Sequence, residues 1–310
     1  MPTEALPWLE AAAHSSVPPG DRFRALLRRA DILRIPGAHN GLSALQARAA
    51  GFESLYLSGA AMSASMGTPD VGLITPEEVA FFVRQIARAA DLPLLVDGDT
   101  GHGGPLNMMQ FVRLMEESGA AAIHVEDQLL PKKCGHLNDK QLIARDEMAA
   151  KVAAAVRARR HLVIVARTDA VAVEGIGAAI DRARAYRDAG ADAIFPEALT
   201  SEAMYAEFAA ALPGVPLLAN MTEFGRSPDL TADRLQQLGF AMVIWPVSSL
   251  RVASKAQEEL YAELARAGTT RALRDRMQTR SELYALIGLA AFEALDRTIM
   301  ASSLPPAAAE

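Results

Sequence analysis

Apolar and polar positions follow two rhythms along this chain. Short runs rich in Val, Ile, Leu and Ala recur between longer stretches with helical spacing. The runs are Ile32 to Pro36, Ser54 to Ser58, Leu92 to Asp97, Ala121 to Glu126, Leu162 to Arg167, Ala193 to Pro196, Val215 to Asn220 and Met242 to Pro246. Most are apolar on both faces, which predicts parallel strands covered on each side. The stretches between them predict helices. Thr75-Pro76-Glu77-Glu78 opens one with a threonine cap, a proline at the first helical position and acids in the first turn. Ile176 to Arg187 carries Ile176, Ile180 and Ala183 at helical spacing and stops shortly before Gly190, a C-terminal cap.

Eight such units in 310 residues predict a (β/α)8 barrel. A doubly wound open sheet is the alternative, but no glycine fingerprint follows Ile32 to Pro36. No proline- or glycine-rich linker interrupts the alternation. Residues 1–300 therefore read as one barrel domain with an N-terminal helix (Asp21 to Arg29) and a C-terminal helical extension. Ser249 to Met300 reads as two or three helices, more than a minimal barrel needs, so part of it is expected to pack on another subunit. Residues 301–310 read as a disordered tail.

Charge and cysteine content narrow the function classes. Acidic residues outnumber basic ones, 37 to 31, for a net charge of −6. That argues against nucleic-acid or anionic-membrane partners, which select basic surfaces. No apolar run reaches the ~18 residues of a membrane span, and Met1 to Gly20 lacks the pattern of a secretory signal. A cytoplasmic location is expected. The single cysteine excludes an intrachain disulfide, leaving packing or chemistry as its role.

Polar residues gather where the runs end, and a barrel carries its reacting groups at the C-terminal ends of its strands. The ends read Tyr56-Leu57-Ser58-Gly59, Asp97-Gly98-Asp99-Thr100-Gly101, His124-Val125-Glu126-Asp127-Gln128, Arg167-Thr168-Asp169, Glu197, and Asn220-Met221-Thr222-Glu223. Asp97 and Asp99, at i and i+2 of a strand, would face one space, with Gly98 permitting close backbone approach. Facing carboxylates repel unless a cation or proton lies between them. Hard oxygen donors favour Mg2+, with Mn2+ as the alternative, over zinc. Glu126 and Asp70 would complete the shell through water. The bland reading is a pair of capping aspartates.

Arg167 suggests a bidentate grip on a substrate carboxylate, against an internal salt bridge as the bland reading. Asn220 and Thr222 can bond a second carboxylate. No phosphate cradle is visible, which favours an unphosphorylated di- or tricarboxylate. The cysteine lies in the polar stretch Pro131-Lys132-Lys133-Cys134-Gly135-His136. Neighbouring positive charge favours its thiolate. A proton donor on a mobile loop and a covalent nucleophile are the roles open to it. Lys132 and Lys133 also read as a solvated loop face.

Several of these stretches together resemble the isocitrate lyase/phosphoenolpyruvate mutase superfamily, from about Arg22 to Ile299. The most specific is Lys132-Lys133-Cys134-Gly135-His136. Others are Asp97 to Gly101, Ile123 to Gln128, Ala166 to Ala170, Phe195 to Ala198, Ala219 to Gly225 and Met277-Gln278-Thr279-Arg280. The resemblance implies a barrel whose C-terminal helices are exchanged between subunits of a homotetramer. It implies Mg2+-dependent cleavage of 2-methylisocitrate to pyruvate and succinate, a step of propionate breakdown through the methylcitrate cycle. Cleavage of 2,3-dimethylmalate and hydrolysis of oxaloacetate are the alternatives within the superfamily. A barrel that only binds dicarboxylates would have no need of an acid such as Cys134.

Residue roles follow from the same resemblance. Ser58, Gly59 and Ala60 would line the pyruvate portion, with Tyr56 beside the forming carbonyl. Asp97 and Asp99 would serve the metal, supported by Asp70 and Glu126. Cys134 would be the acid. Arg167, Gly135, His136, Glu197, Asn220, Met221, Thr222, Arg251 and Arg280 would bind substrate. Ala60 and Ala61 stand where relatives often carry glycine, and His102 where an aromatic residue is usual. These departures bear on substrate preference.

Overall fold

The computed structural model describes residues 7–133, 135 and 139–300. Cys134, His136 and the tail 301–310 lie outside the described residues. The chain divides into two compact units, residues 17–255 and, from the two ends of the chain, residues 7–16 with 256–300.

The larger unit is a parallel barrel. Its strands are β1 (Leu33–Pro36), β2 (Leu55–Leu57), β3 (Leu94–Asp97), β4 (Ala122–Glu126), β5 (Val163–Thr168), β6 (Ala193–Pro196), β7 (Leu218–Asn220) and β8 (Met242–Trp245). β2 to β6 pair in sequence order, and β8 pairs with both β7 and β1. Single parallel bridges, Gly37 with Tyr56 and Ile194 with Leu217, close the two remaining seams. Every predicted run forms a strand.

Helices α1 (Pro19–Leu27), α2 (Gly41–Ala49), α3 (Gly59–Ser65), α4 (Pro76–Ala90), α5 (Pro105–Glu117), α6 (Arg145–Ala158), α7 (Ile176–Asp188), α8 (Glu202–Ala211) and α9 (Ala232–Gln237) precede or connect these strands. The cap read from sequence is present at α4: Glu78 N donates to Thr75 Oγ1 at 3.3 Å, and Thr75 N donates to Glu78 Oε2 at 2.8 Å. Three helices follow β8: α10 (Ser248–Ala267), α11 (Arg280–Leu286) and α12 (Leu289–Met300). No residue of α10 or α11 is buried. No described helix is long and apolar enough to cross a membrane.

Strand alternation sorts the apolar residues into two cores. Leu33, Ile35, Tyr56, Leu95, Ala122, Val163, Val165, Ala193, Phe195, Leu218, Met242 and Ile244 fill the barrel, joined by Phe23 and Leu26 of α1. Leu55, Leu57, Val96, Ile123, Ile164, Ala166 and Ile194 belong to the second core, shared with the helices. Side chains two apart share a face, so the inward row continues to the strand ends. Asp97 follows Leu95, His124 and Glu126 follow Ala122, Arg167 follows Val165, and Glu197 follows Phe195. The apolar filling thus becomes a polar mouth on the same register.

One buried carboxylate ties the barrel wall together below that mouth. Glu116, in α5, accepts backbone N–H bonds from Arg160 at 2.9 Å, His161 at 2.7 Å and Leu162 at 2.8 Å, just before β5. Burial opposes its charge, but these donors outweigh it and hold its carboxyl below the ordinary glutamate range. Replacing Glu116 with Ala is expected to cost on the order of 2–3 kcal/mol in urea unfolding at pH 7, the scale of bonds to a charged acceptor. A depressed folded pKa contributes stability above the unfolded pKa, and that contribution is lost as pH falls through the folded value. The gap between wild type and Glu116→Ala should therefore narrow in acid. A gap independent of pH would mean the carboxylate is not its source.

Candidate active site

A cavity open to solvent occupies the C-terminal mouth of the barrel. Tyr56, Ser58, Ala60, Asp70, Asp97, Gly135, Arg167, Glu197, Asn220, Thr222 and Arg251, all expected at the site, line it. Gly59 lies against it, its N–H donating to Asp97 Oδ2 at 2.9 Å. Met221 is not in the lining: it packs into the strand–helix core, where its sulfur accepts the Leu230 N–H at 3.4 Å. Arg280 begins α11, in the other compact unit.

Asp97 and Asp99 converge, though not by strand alternation. β3 ends at Asp97, and Asp99 takes a left-handed conformation with φ 47°. Its N–H donates back to Asp97 Oδ1 at 3.2 Å, as short acidic side chains do in turns. Gly98 is required by close approach: a Cβ there would lie 2.8 Å from the His124 carbonyl oxygen. Lys132 closes the cluster from the loop after β4. Its ammonium pairs with Asp70 and, at 2.6 Å, with Asp99 Oδ1. Only 3% of Lys132 is exposed, which overturns its bland reading as a solvated loop residue.

The cluster fits a divalent cation. Asp70, Asp97, Asp99 and Glu126 supply hard oxygen donors in excess of the positive charge beside them. Glu126 Oε1 is buried with no hydrogen-bond partner, and the only partner of buried Asp99 Oδ1 among the described residues is the Lys132 ammonium. Among the described residues, no three Asp, Glu, His or Cys side chains close to direct-ligation spacing.

Electrostatics divide the two aspartates. Burial works against the charge of Asp97, but His124, Lys132, Arg167 and the Gly59 N–H hold its carboxyl well below the ordinary range. Asp99 is pushed up to about 6, by burial first and by the charge of Asp97 second, against the pull of Lys132. Burial lowers His124 to about 4, so its imidazole is neutral at pH 7. At that pH the cations acting on Asp97 are Lys132 and Arg167. Tyr56 Oη lies 2.7 Å from His124 Nε2 and donates to Asp97 Oδ2 at 3.3 Å. Burial and Asp97 raise the phenol well above its usual range, so it stays protonated.

Arg167 forms the opposite wall. Nη1 lies 3.1 Å from Glu126 Oε2, Nη2 lies 3.6 Å from Glu197 Oε2, and Nε donates to Asp169 Oδ2 at 2.9 Å. The guanidinium is thus internally paired, as the bland reading expected, and also lines the cavity. Asn220 Nδ2 donates to Glu197 Oε2 at 3.2 Å. Lys140 donates to Asp169 Oδ1 at 2.7 Å and to the Gly135 carbonyl at 2.5 Å, joining loop backbone to barrel. A Cβ on Gly135 would collide with Arg167 Nη2 and stand 2.6 Å from Glu197 Cγ. Arg251 is more peripheral, its Nη1 3.2 Å from Glu223 Oε2 and its guanidinium 5.3 Å from the Phe224 ring centre.

Sequence reasoning gave no site role to His124, Asp169 or Lys140. His124 had a usable signal, since it precedes Glu126 by two on the inward row. Asp169 entered only through the internal salt bridge read for Arg167-Thr168-Asp169, which the structure contains. Lys140 had no signal, because Asp169 lies 29 residues away.

Comparison with known proteins places this architecture. The phosphoenolpyruvate phosphomutase family matches residues 23–265. A protein from Bacillus subtilis (strain 168) named 2-methylisocitrate lyase is 52% identical over 298 residues, covering 96% of this chain and 99% of its own. The solved structure of a 2,3-dimethylmalate lyase, described as a PEP mutase/isocitrate lyase superfamily member, superposes with a TM-score of 0.87 at 34% identity, covering 96% of this chain and all of that one. A phosphonopyruvate hydrolase solved with oxalate and Mg2+ has a TM-score of 0.83 at 31% identity, covering 92% of this chain and all of that one. With its barrel, its acidic cluster and relatives that cover nearly its whole length, the chain belongs to the phosphoenolpyruvate phosphomutase family, within the PEP mutase/isocitrate lyase superfamily.

Proposed function

We propose that this chain is a lyase that cleaves 2-methylisocitrate to pyruvate and succinate with Mg2+. One observation carries the reading: a single cavity sets a carboxylate cluster suited to a divalent cation against Arg167, beneath a loop whose next residue is Cys134. The 52% identity to a named 2-methylisocitrate lyase, against 34% to the 2,3-dimethylmalate lyase, favours this substrate. A cytoplasmic homotetramer working in propionate breakdown belongs to the same reading.

Asp97 and Asp99, with Asp70 and Glu126 through water, would hold the ion, which when bound supplies Lewis-acid polarisation of substrate oxygens. Arg167 grips a substrate carboxylate and stabilises charge on the oxygen that becomes the pyruvate carbonyl. Tyr56, protonated and held by His124, is a hydrogen-bond donor to that oxygen. Ser58, Gly59 and Ala60 line the pyruvate portion. Glu197, Asn220, Thr222 and Arg251 orient the remaining carboxylates. A carboxylate of the acidic cluster takes the proton of the substrate hydroxyl, the C–C bond breaks as the carbonyl forms, its electron pair leaves on the succinyl fragment as a carboxylate-stabilised carbanion, and the Cys134 thiol gives that carbon a proton. Gly135 and His136, the next two residues in the sequence, belong to the same substrate-binding set in this reading.

A panel of 2-methylisocitrate, isocitrate, 2,3-dimethylmalate and oxaloacetate, each assayed with Mg2+, is expected to show the highest kcat/KM for the first. A preference for any other member would overturn the substrate assignment. Cys134→Ser is expected to abolish cleavage while product binding, measured by calorimetry, persists; near wild-type turnover would remove the acid role. Gly135→Ala should lower kcat/KM on the order of 100-fold through displacement of Arg167 and Glu197, with thermal unfolding little changed.

A further inference from the structure

Gln128 has no part in the reaction as derived above and does not line the cavity, yet its side chain is buried. It follows the last residue of β4 by two, at the foot of the loop that carries Cys134. The base of that loop is a short antiparallel ladder. Gln128 bridges Leu142, Leu129 N donates to Gln141 O at 2.7 Å, and Ile143 N donates to Asp127 O at 2.9 Å. The Gln128 side chain takes no part in this ladder. It reaches into the loop and grips one residue twice: Nε2 donates to the Lys133 carbonyl at 2.8 Å, and Oε1 accepts the Lys133 N–H at 2.9 Å.

Two bonds to the two backbone groups of one residue constrain more than either alone. The N–H direction follows φ and the carbonyl direction follows ψ, so the fork fixes both at Lys133. The Lys133 carbonyl also lies in the peptide plane that ends on the Cα of Cys134. A primary amide presents a donor and an acceptor side by side. A carboxylate in its place would set oxygen against the carbonyl, and an apolar side chain would make neither bond. Beyond the cysteine, the Gly135 carbonyl is held in turn by Lys140 at 2.5 Å.

We propose that Gln128 is the positioning residue for the proton donor: its amide fixes the Lys133 backbone, and with it the point of attachment of the next residue, Cys134. It acts through the Lys133 peptide rather than on the substrate. Its loss therefore slows protonation of the carbanion and leaves substrate binding, which Arg167 and the other cavity groups provide. This inference rests on the reading of Cys134 as the acid in a lyase.

The test compares wild type with Gln128→Met, which keeps the length of the side chain but makes neither bond. With 2-methylisocitrate and Mg2+, kcat is expected to fall at least ~10-fold, within the ~100-fold that a displacement of about 1 Å costs. KM should change little, since ground-state binding is untouched. A residue that only fills space would leave kcat at the wild-type value, and that result overturns the inference. A raised KM at unchanged kcat overturns it too, because it would place Gln128 in binding. Wild type that does not cleave 2-methylisocitrate overturns the inference and the function reading together. Backbone hydrogen exchange of the full chain without substrate, read by peptide mass spectrometry, needs no turnover. The Lys133 amide should exchange several-fold faster in Gln128→Met, while the Ile143 amide, bonded to Asp127, keeps its rate. Equal exchange at Lys133 would remove the clamp. Should the methionine variant not fold, wild type decides: a Lys133 amide exchanging as fast as in an unstructured peptide sinks the idea, and a protected one supports it.

Discussion

Buried charge at the mouth of the barrel is the constraint on which the rest depends. Asp97, Asp99, Glu126, Asp169 and Glu197 are all less than a tenth exposed. Carboxylates withdrawn from water are costly unless paired and hydrogen-bonded. Arg167 answers three of them at once, Lys132 answers Asp99, and Lys140 pairs with Asp169 as well. The barrel supplies the rigidity for this. Its strands hold β4 and β5 in a register that sets Glu126 beside Arg167, and β3 beside β4 so that Asp97 meets His124.

Such a lattice is organised before substrate arrives. Its charges are oriented by fixed backbone and by one another, so they need little rearrangement when negative charge develops on a reacting oxygen. Support extends below the cavity. Asp127 accepts from Thr168 Oγ1 at 2.8 Å, the Asp169 N–H at 2.9 Å and Tyr186 Oη at 2.8 Å, steadying the turn from which Asp169 holds Arg167. Residues that never line the cavity thereby decide where its guanidinium points.

The fold was legible because repetition averages out local ambiguity. A run such as Leu92 to Asp97 is ambiguous alone, but eight at regular spacing admit few topologies. The polar strand ends were legible for the same reason, since period two carries Arg167 and Glu197 to the mouth. Errors fell where regular structure stops. Asp99 was assigned to a strand face, but it owes its position to a left-handed turn. Met221 follows an inward residue and so turns into the core. Lys132 resembled any loop lysine because its acidic partners lie 62 residues away, at Asp70, and on a separate strand end, at Asp99.

By itself the sequence determined the strand and helix order, the inward row of each strand and the set of chemical groups at one end. These depend on periodicity and local backbone preference, which are properties of neighbours in the chain. Only the tertiary structure decided which charge answers which: Arg167 among Glu126, Asp169 and Glu197, and Lys132 between Asp70 and Asp99. Ion pairing acts through space over a few ångströms, and no spacing along the chain encodes which distant side chains barrel closure brings together.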